Sequence, residues 1–346
     1  MNPAAIKPSD ITRFLDQYVI GQEEAKRVLA VAVHTHYRRV AMNRDGETLL
    51  DKSNILIVGP SGCGKTLLCE TLARQMSVPF VTADATSLAQ TRFVGEEIEA
   101  IMTRLVEKAD GNLETASRGI VFIDEVDKLK ADASGASRAT SGESVQHALL
   151  KIMEGYPVRF ADGRVMDTSG ILFICGGAFV GLEQIMARTH SFGYIATGEG
   201  DDENILERLN SRVKPTDLFE YGLIPEFTGR LPIIARVTPL DRNMLSRIMV
   251  EPKAALYRQF RALLAEEGVQ LVISPAVFRQ IADIALEYKT GARSLRGIFE
   301  ELLTPVLYAV PDKPEIKAVH IRSLFDPPQF LEQRDSADPT VVELPA

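Results

Sequence analysis

Two short stretches carry residues whose types and spacing suit chemistry on phosphate. The first is Gly59-Pro60-Ser61-Gly62-Cys63-Gly64-Lys65-Thr66, which follows the pattern G-x-x-x-x-G-K-[ST]. Glycines let consecutive backbone N–H groups curl round a polyphosphate, and a helix starting at the end of the loop adds positive potential. Lys65 would reach the β- and γ-phosphates, and the Thr66 hydroxyl would bind magnesium. The second stretch is Asp124-Glu125, which closes the run Gly119-Ile120-Val121-Phe122-Ile123. Asp124 would hold Mg²⁺ through water, and Glu125 would polarise the attacking water. A triphosphate cradle with two carboxylates beside it is the equipment of magnesium-assisted nucleotide hydrolysis.

Both stretches need elements to present them. The run 54–58 reads as a buried strand entering the glycine loop, and 67–73 reads as the helix leaving it. The run 119–123 is a second buried strand, and ligands gather at the carboxyl ends of strands in open α/β sheets. Further strands are predicted over 79–84, 171–175 and 231–237. Helices are predicted over 23–40, 98–109 and 144–153. A hairpin with an Asp162-Gly163 turn joins 158–161 to 164–166. Residues 43–53 are polar and turn-like, and 188–216 read as loop with a helix.

Composition changes after Pro239-Leu240. Asp241 can cap a helix through Val250, and helix resumes after Pro252 to about Glu267. A short strand over 269–273 precedes Ser274-Pro275, a helix start with proline in its first turn. Helices to about Lys289 and over 293–309 follow, then a strand over 315–321. The organisation expected is a flexible lead-in over 1–13 and a large α/β domain with a parallel sheet over 14–239. A small, mainly helical α+β domain over 240–325 and a loose tail over 326–346 complete the chain.

Length and charge narrow the classes. The 346 residues suffice for two domains, and 45% hydrophobic with 25% charged residues is ordinary for a soluble globular protein. A net charge of -8 argues against a chain that mainly binds nucleic acid. The three cysteines, Cys63, Cys69 and Cys175, form no C-x-x-C pair, so no cysteine zinc cluster is expected and a reducing compartment is. The N-terminus carries no signal peptide, and no apolar run approaches membrane-spanning length, so a cytoplasmic protein is expected.

The sequence resembles AAA+ ATPases and, within them, the ClpX protein unfoldase family. The resemblance covers about residues 10–325. It rests on Tyr18-Val19-Ile20-Gly21-Gln22, the glycine loop, Gly119 to Asp127, Ser141-Gly142-Glu143, Ile171 to Phe179, Gly222 to Pro232 and Thr290-Gly291-Ala292-Arg293. It implies an AAA+ ATPase that binds ATP or ADP with Mg²⁺ and works as a homo-hexamer on protein substrates. Val19 and Ile20 would pack on adenine, and Gly59 to Thr66 with Leu67, Asp124 and Arg293 would contact nucleotide. Arg230 matches the arginine finger that reaches a neighbour's γ-phosphate, and Arg293 matches the second sensor. A guanidinium suits both tasks because it stays charged and bonds phosphate oxygens bidentately. Arg92-Phe93-Val94-Gly95 matches the substrate-gripping pore loop, and 134–140 a second one. The strand ending Cys175-Gly176 lacks the first-sensor Asn of many AAA+ proteins, as the ClpX pattern also does.

Three departures from the ClpX pattern stand out. No four-cysteine zinc domain is expected ahead of the ATPase unit. The basic Arg-Lys-His pore-entrance loop is replaced by the Asp162-Gly163 hairpin, which keeps Arg159 and Arg164. The Ile-Gly-Phe loop that docks on the ClpP peptidase reads Phe192-Gly193-Tyr194. The leading expectation is therefore a ring unfoldase, with or without a ClpP-like peptidase. The alternatives are a protease-independent remodelling chaperone and, against the net charge, a nucleic-acid-linked motor.

Overall fold

The computed structural model describes residues 3–44, 51–90, 94–130, 142–191 and 212–333. The chain divides into two compact units. One takes Met1–Thr12, Glu23–Pro60 and Lys65–Val237; the other takes Arg13–Gln22, Ser61–Gly64 and Thr238–Ala346. The glycine loop thus contributes residues to both.

The first unit is built on strands β1 (Ile55–Val58), β2 (Phe80–Asp84) and β3 (Ile120–Asp124), a hairpin of β4 (Pro157–Arg159) and β5 (Val165–Asp167), then β6 (Leu172–Gly177) and β7 (Ile233–Arg236). Five of these form a sheet in the order β2-β3-β6-β1-β7, with every pairing parallel. Every residue of β1 and β6 is buried, as is β3 up to Asp124. Unbroken apolar runs follow from a parallel sheet covered on both faces. Leu56, Val58, Val121, Ile123, Phe173 and Cys175 pack with Ile101, Met102 and Leu105 of the helix Val94–Glu107 and with Leu149 and Met153 of the helix Gly142–Glu154. The alternate residues Ile55, Ile57, Phe122 and Ile174 are buried as well. Strand periodicity sends them to the other face.

The second unit contains β8 (Gln270–Ile273), β9 (Ala318–Ile321) and β10 (Gln329–Leu331) in the order β10-β9-β8. Its helices include Arg242–Ile248, Leu256–Glu266, Pro275–Glu287 and Arg293–Ala309. Asp241 caps the first, accepting from the Met244 N–H at 2.7 Å, and Ser274 caps the third. Tyr257, Phe260, Phe278 and Phe299 join these helices through ring contacts with centroids 5.4–6.3 Å apart.

Three segments differ from the sequence reading. Pro8–Leu15, read as part of the lead-in, is a helix whose Ile11 and Leu15 are fully buried. Spacing of one turn puts both on one face, a pattern too short to stand out in an eight-residue helix. The helix predicted from Ile98 begins at Val94. Gln329–Leu331, read as tail, pairs antiparallel with β9, because main-chain hydrogen bonding at an open sheet edge needs no apolar signature.

Candidate functional site

The glycine loop follows β1 and turns on residues that only glycine tolerates well. Gly59 has φ +152 and Gly62 φ +78. A Cβ on Gly59 would lie 2.3 Å from the Val237 carbonyl oxygen, and one on Gly62 would lie 2.3 Å from that of Thr290. Lys65 is the first residue of the helix Lys65–Met76. Its buried ammonium donates to the carbonyls of Gly59 (2.7 Å) and Pro60 (3.0 Å), which holds the charge inside the loop's own curl. Thr66 is exposed beside it. Amides, an ammonium and a helix N-terminus suit phosphate oxygens; a hydroxyl and a carboxylate suit a hard cation such as magnesium. The residues present therefore fit a magnesium-nucleotide, with Lys65 toward the phosphates and Thr66 and Asp124 toward the metal.

Asp124 and Glu125 stand at the carboxyl end of β3, and β6 lies between β3 and the loop-bearing β1. Sheet order alone thus puts carboxylates and glycine loop on one edge. Glu125 has φ 60 and ψ 30, a left-handed conformation that an L side chain adopts at a cost. Asp124 Oδ1 accepts the Glu125 N–H at 2.9 Å and so fixes the bend. The chain then enters a short 3-10 turn, Val126–Leu129. Asp127, in that turn, is buried and accepts the N–H groups of Ala178 (3.2 Å) and Phe179 (3.3 Å) just past β6. Gly176 and Gly177 allow this approach: a Cβ on the first would lie 2.6 Å from the Phe122 ring, and one on the second 2.6 Å from Asp127 Oδ1. Cys63 is buried, and burial pushes the Cys175 thiol up to about 12.

Arg230 lies elsewhere. Arg230 ends the short helix Pro225–Gly229, and its half-exposed guanidinium pairs with Glu154 at 2.7 Å. Its carbonyl accepts from Nδ2 of Asn54, the residue before β1. The glycine loop starts at the other end of β1, with Gly59. Five residues of extended chain span about 16 Å at roughly 3.3 Å each, beyond the reach of one side chain. Arg293 opens the helix Arg293–Ala309 of the second unit, where the neighbouring Ala292 N–H donates to Gly62 at 3.1 Å. Val19 and Ile20, in the same unit, are buried. Val94 and Gly95 form the start of the helix Val94–Glu107, and a Cβ on Gly95 would meet open space. Arg92, Phe93, 134–140, Phe192, Gly193 and Tyr194 lie outside the described residues.

Sequence reading gave no role to several buried polar side chains. Gln22 mimics a strand partner: its amide donates to the Thr238 carbonyl and accepts the Thr238 N–H, each at 2.8 Å. Buried Gln146 donates to the Leu129 carbonyl (2.8 Å) and accepts the Ile224 N–H (2.9 Å), bridging the turn after Glu125 to the segment before Arg230. Asp127, Gln146 and Asn54 carry no local signal, because their partners lie between 17 and 176 residues away.

Comparison with known proteins fits this geometry. The family described as AAA domain (Cdc48 subfamily) matches residues 50–234, and the C-terminal, D2-small domain of ClpB protein matches residues 240–321. Fold, glycine loop and strand-end carboxylates together define an AAA ATPase. "ATP-dependent Clp protease ATP-binding subunit ClpX 3" of Methylococcus capsulatus is 45% identical over 339 residues, covering 90% of this chain and 78% of the relative. The protein named ClpX in Bacteroides fragilis is 44% identical over 328 residues (89% and 78%), and that of Azotobacter vinelandii is 45% identical over 339 (91% and 77%). The chain belongs to the ClpX family of AAA+ ATPases.

Proposed function

We propose that this ATPase is one subunit of a homo-hexameric ring that unfolds protein substrates and threads them through its central pore. The observation that carries the ring is the location of Arg230. An arginine beside the amino end of β1 stands far from the glycine loop at the carboxyl end of the same strand, which supports a phosphate partner on another subunit. In each site Lys65 and the loop amides hold the triphosphate, Glu125 activates water, and the neighbour's Arg230 offsets charge as the terminal phosphate leaves. Thr66 and Asp124 would hold magnesium, whose charge would offset that of the phosphates. Arg293 senses nucleotide, and Val19 with Ile20 contacts the base. Residues 14–239 serve as the large ATPase domain and 240–325 as the small one. Arg92, Phe93, Val94 and Gly95 grip substrate, because an aromatic can hold any polypeptide by packing without reading sequence. The relatives' name, a Clp protease subunit, makes a ClpP-like peptidase the natural partner in the cytoplasm. Phe192, Gly193 and Tyr194 form the docking loop.

The ring is tested by mixing. Arg230→Ala subunits should bind ATP yet hydrolyse it about 10³-fold or more slowly. Adding Glu125→Gln subunits should restore part of the activity, since each variant completes the other's interface. Mixed rings that form and stay inactive would remove the trans role.

A further inference from the structure

Arg230 is held at both ends by side chains that play no part in nucleotide chemistry. Asn54 is buried to 1% exposure. Its Nδ2 donates to the Arg230 carbonyl at 3.2 Å and to the Met153 carbonyl at 3.3 Å. Its Oδ1 has no partner among the described residues, so donation alone sets the amide's orientation. The next residue, Glu154, ends the helix Gly142–Glu154 and puts Oε1 2.7 Å from Arg230 Nη2. The main chain and the tip of Arg230 are therefore both referred to one helix end, and Asn54 ties that end to the start of β1.

We infer that Asn54 and Glu154 are positioning residues for the trans-acting Arg230: Asn54 fixes its backbone, and Glu154 keeps its guanidinium extended toward the neighbouring subunit. The inference rests on the reading of Arg230 as the finger. The guanidinium is 49% exposed and the carboxylate 45% exposed. Exposed pairs of this kind are weak and exchange readily. Weakness suits the task, because the arginine must move from carboxylate to phosphate in each cycle. A free arginine samples many rotamers, and the pair narrows them before the phosphate arrives. Glu154 is also anchored: Leu149, Ile152 and Met153 of its helix are buried, so its backbone does not drift with the exposed side chain.

The test is steady-state ATP hydrolysis by assembled rings. Glu154→Ala should lower kcat about 3- to 30-fold, within the range of couplings between contacting residues, and leave KM nearly unchanged, since its own nucleotide site is intact. Glu154→Gln, which keeps an acceptor, should recover part of the loss. In an Arg230→Ala background Glu154→Ala should cost nothing further. Mixing Glu154→Ala subunits with Glu125→Gln subunits should raise the rate per Glu154→Ala subunit, because the partner brings a correctly held arginine. A merely structural lesion would not be rescued from across an interface. Asn54→Ala should behave likewise; Glu154→Ala changes only a half-exposed side chain and keeps the test readable if the Asn54 variant fails to fold. Full kcat in Glu154→Ala rings, or an equal loss in the Arg230→Ala background, would overturn the inference while leaving the finger reading intact. Parent-rate hydrolysis by Arg230→Ala would overturn both.

Discussion

At the scale of single residues, the site divides labour between holding and reacting. Lys65 is bonded to the carbonyls of its own loop, so its position is set before any phosphate arrives. Glu125 is held by its backbone: a positive φ and the Asp124 carboxylate on its N–H direct the side chain. The two functions are therefore separable. Glu125→Gln keeps the side chain's size but removes the proposed base, so ATP binding should persist while turnover falls by about 10²–10⁴-fold. Equilibrium binding of labelled ATP beside phosphate release checks both halves; near-parent turnover would assign the base to another residue.

At the scale of elements, the long helix Glu23–Arg44 carries a hidden proton acceptor. His36 is buried, and its Nε2 lies 3.0 Å from the Gly170 carbonyl, just ahead of β6. Burial and then the nearby Arg39 lower its pKa to about 3, with Lys52 adding to the effect. Lys52 itself is pulled down to about 7, chiefly by burial, and donates to the Thr168 carbonyl. Between pH 6.5 and about 3 the unfolded chain binds a proton at His36 that the folded chain refuses. The stability at stake is present above pH 6.5 and is lost as pH falls toward 3, with a slope near 1.4 kcal/mol per pH unit. His36→Gln should flatten the denaturant-midpoint profile by about that slope over this window. Identical slopes in both proteins would show that His36 titrates normally.

At the scale of the whole molecule, the proposed motor must convert hydrolysis to pulling. Phe93→Ala should uncouple the two: ATPase retained, unfolding of a folded fluorescent reporter lost. Equal unfolding by the variant would return Phe93 to the core. Docking is the second collective property. If 192–194 dock as proposed, Phe192 would overfill a pocket shaped for Ile, and Tyr194 would bring a hydroxyl where Phe is apolar, each at about 1–3 kcal/mol. In the proposed ring the loops repeat, so small penalties would multiply. Binding to a ClpP shaped for Ile-Gly-Phe should be weak in sedimentation with ATP, and Phe192→Ile with Tyr194→Phe should strengthen it. Tight binding by the unaltered chain would show that the altered loop is accepted.

The sequence by itself determined the glycine loop, the strand-end carboxylates and most element positions. These signals are local: a phosphate cradle needs Gly59, Gly62 and Lys65 within eight residues, and a buried parallel strand needs an unbroken apolar run. It also placed the caps Asp241 and Ser274, where a side chain answers an N–H two or three residues on. The helix Pro8–Leu15 and the strand Gln329–Leu331 were not legible, since the first is too short for periodicity and the second depends on an edge supplied by β9. Only the tertiary structure decided which end of β1 Arg230 occupies. The same holds for Asn54 and Glu154 meeting Arg230, and for Gln22 answering Thr238 from 216 residues away. Hydrogen bonds and ion pairs act over a few ångströms in space, and the order of residues along a chain does not record that distance until the sheet has been laid down.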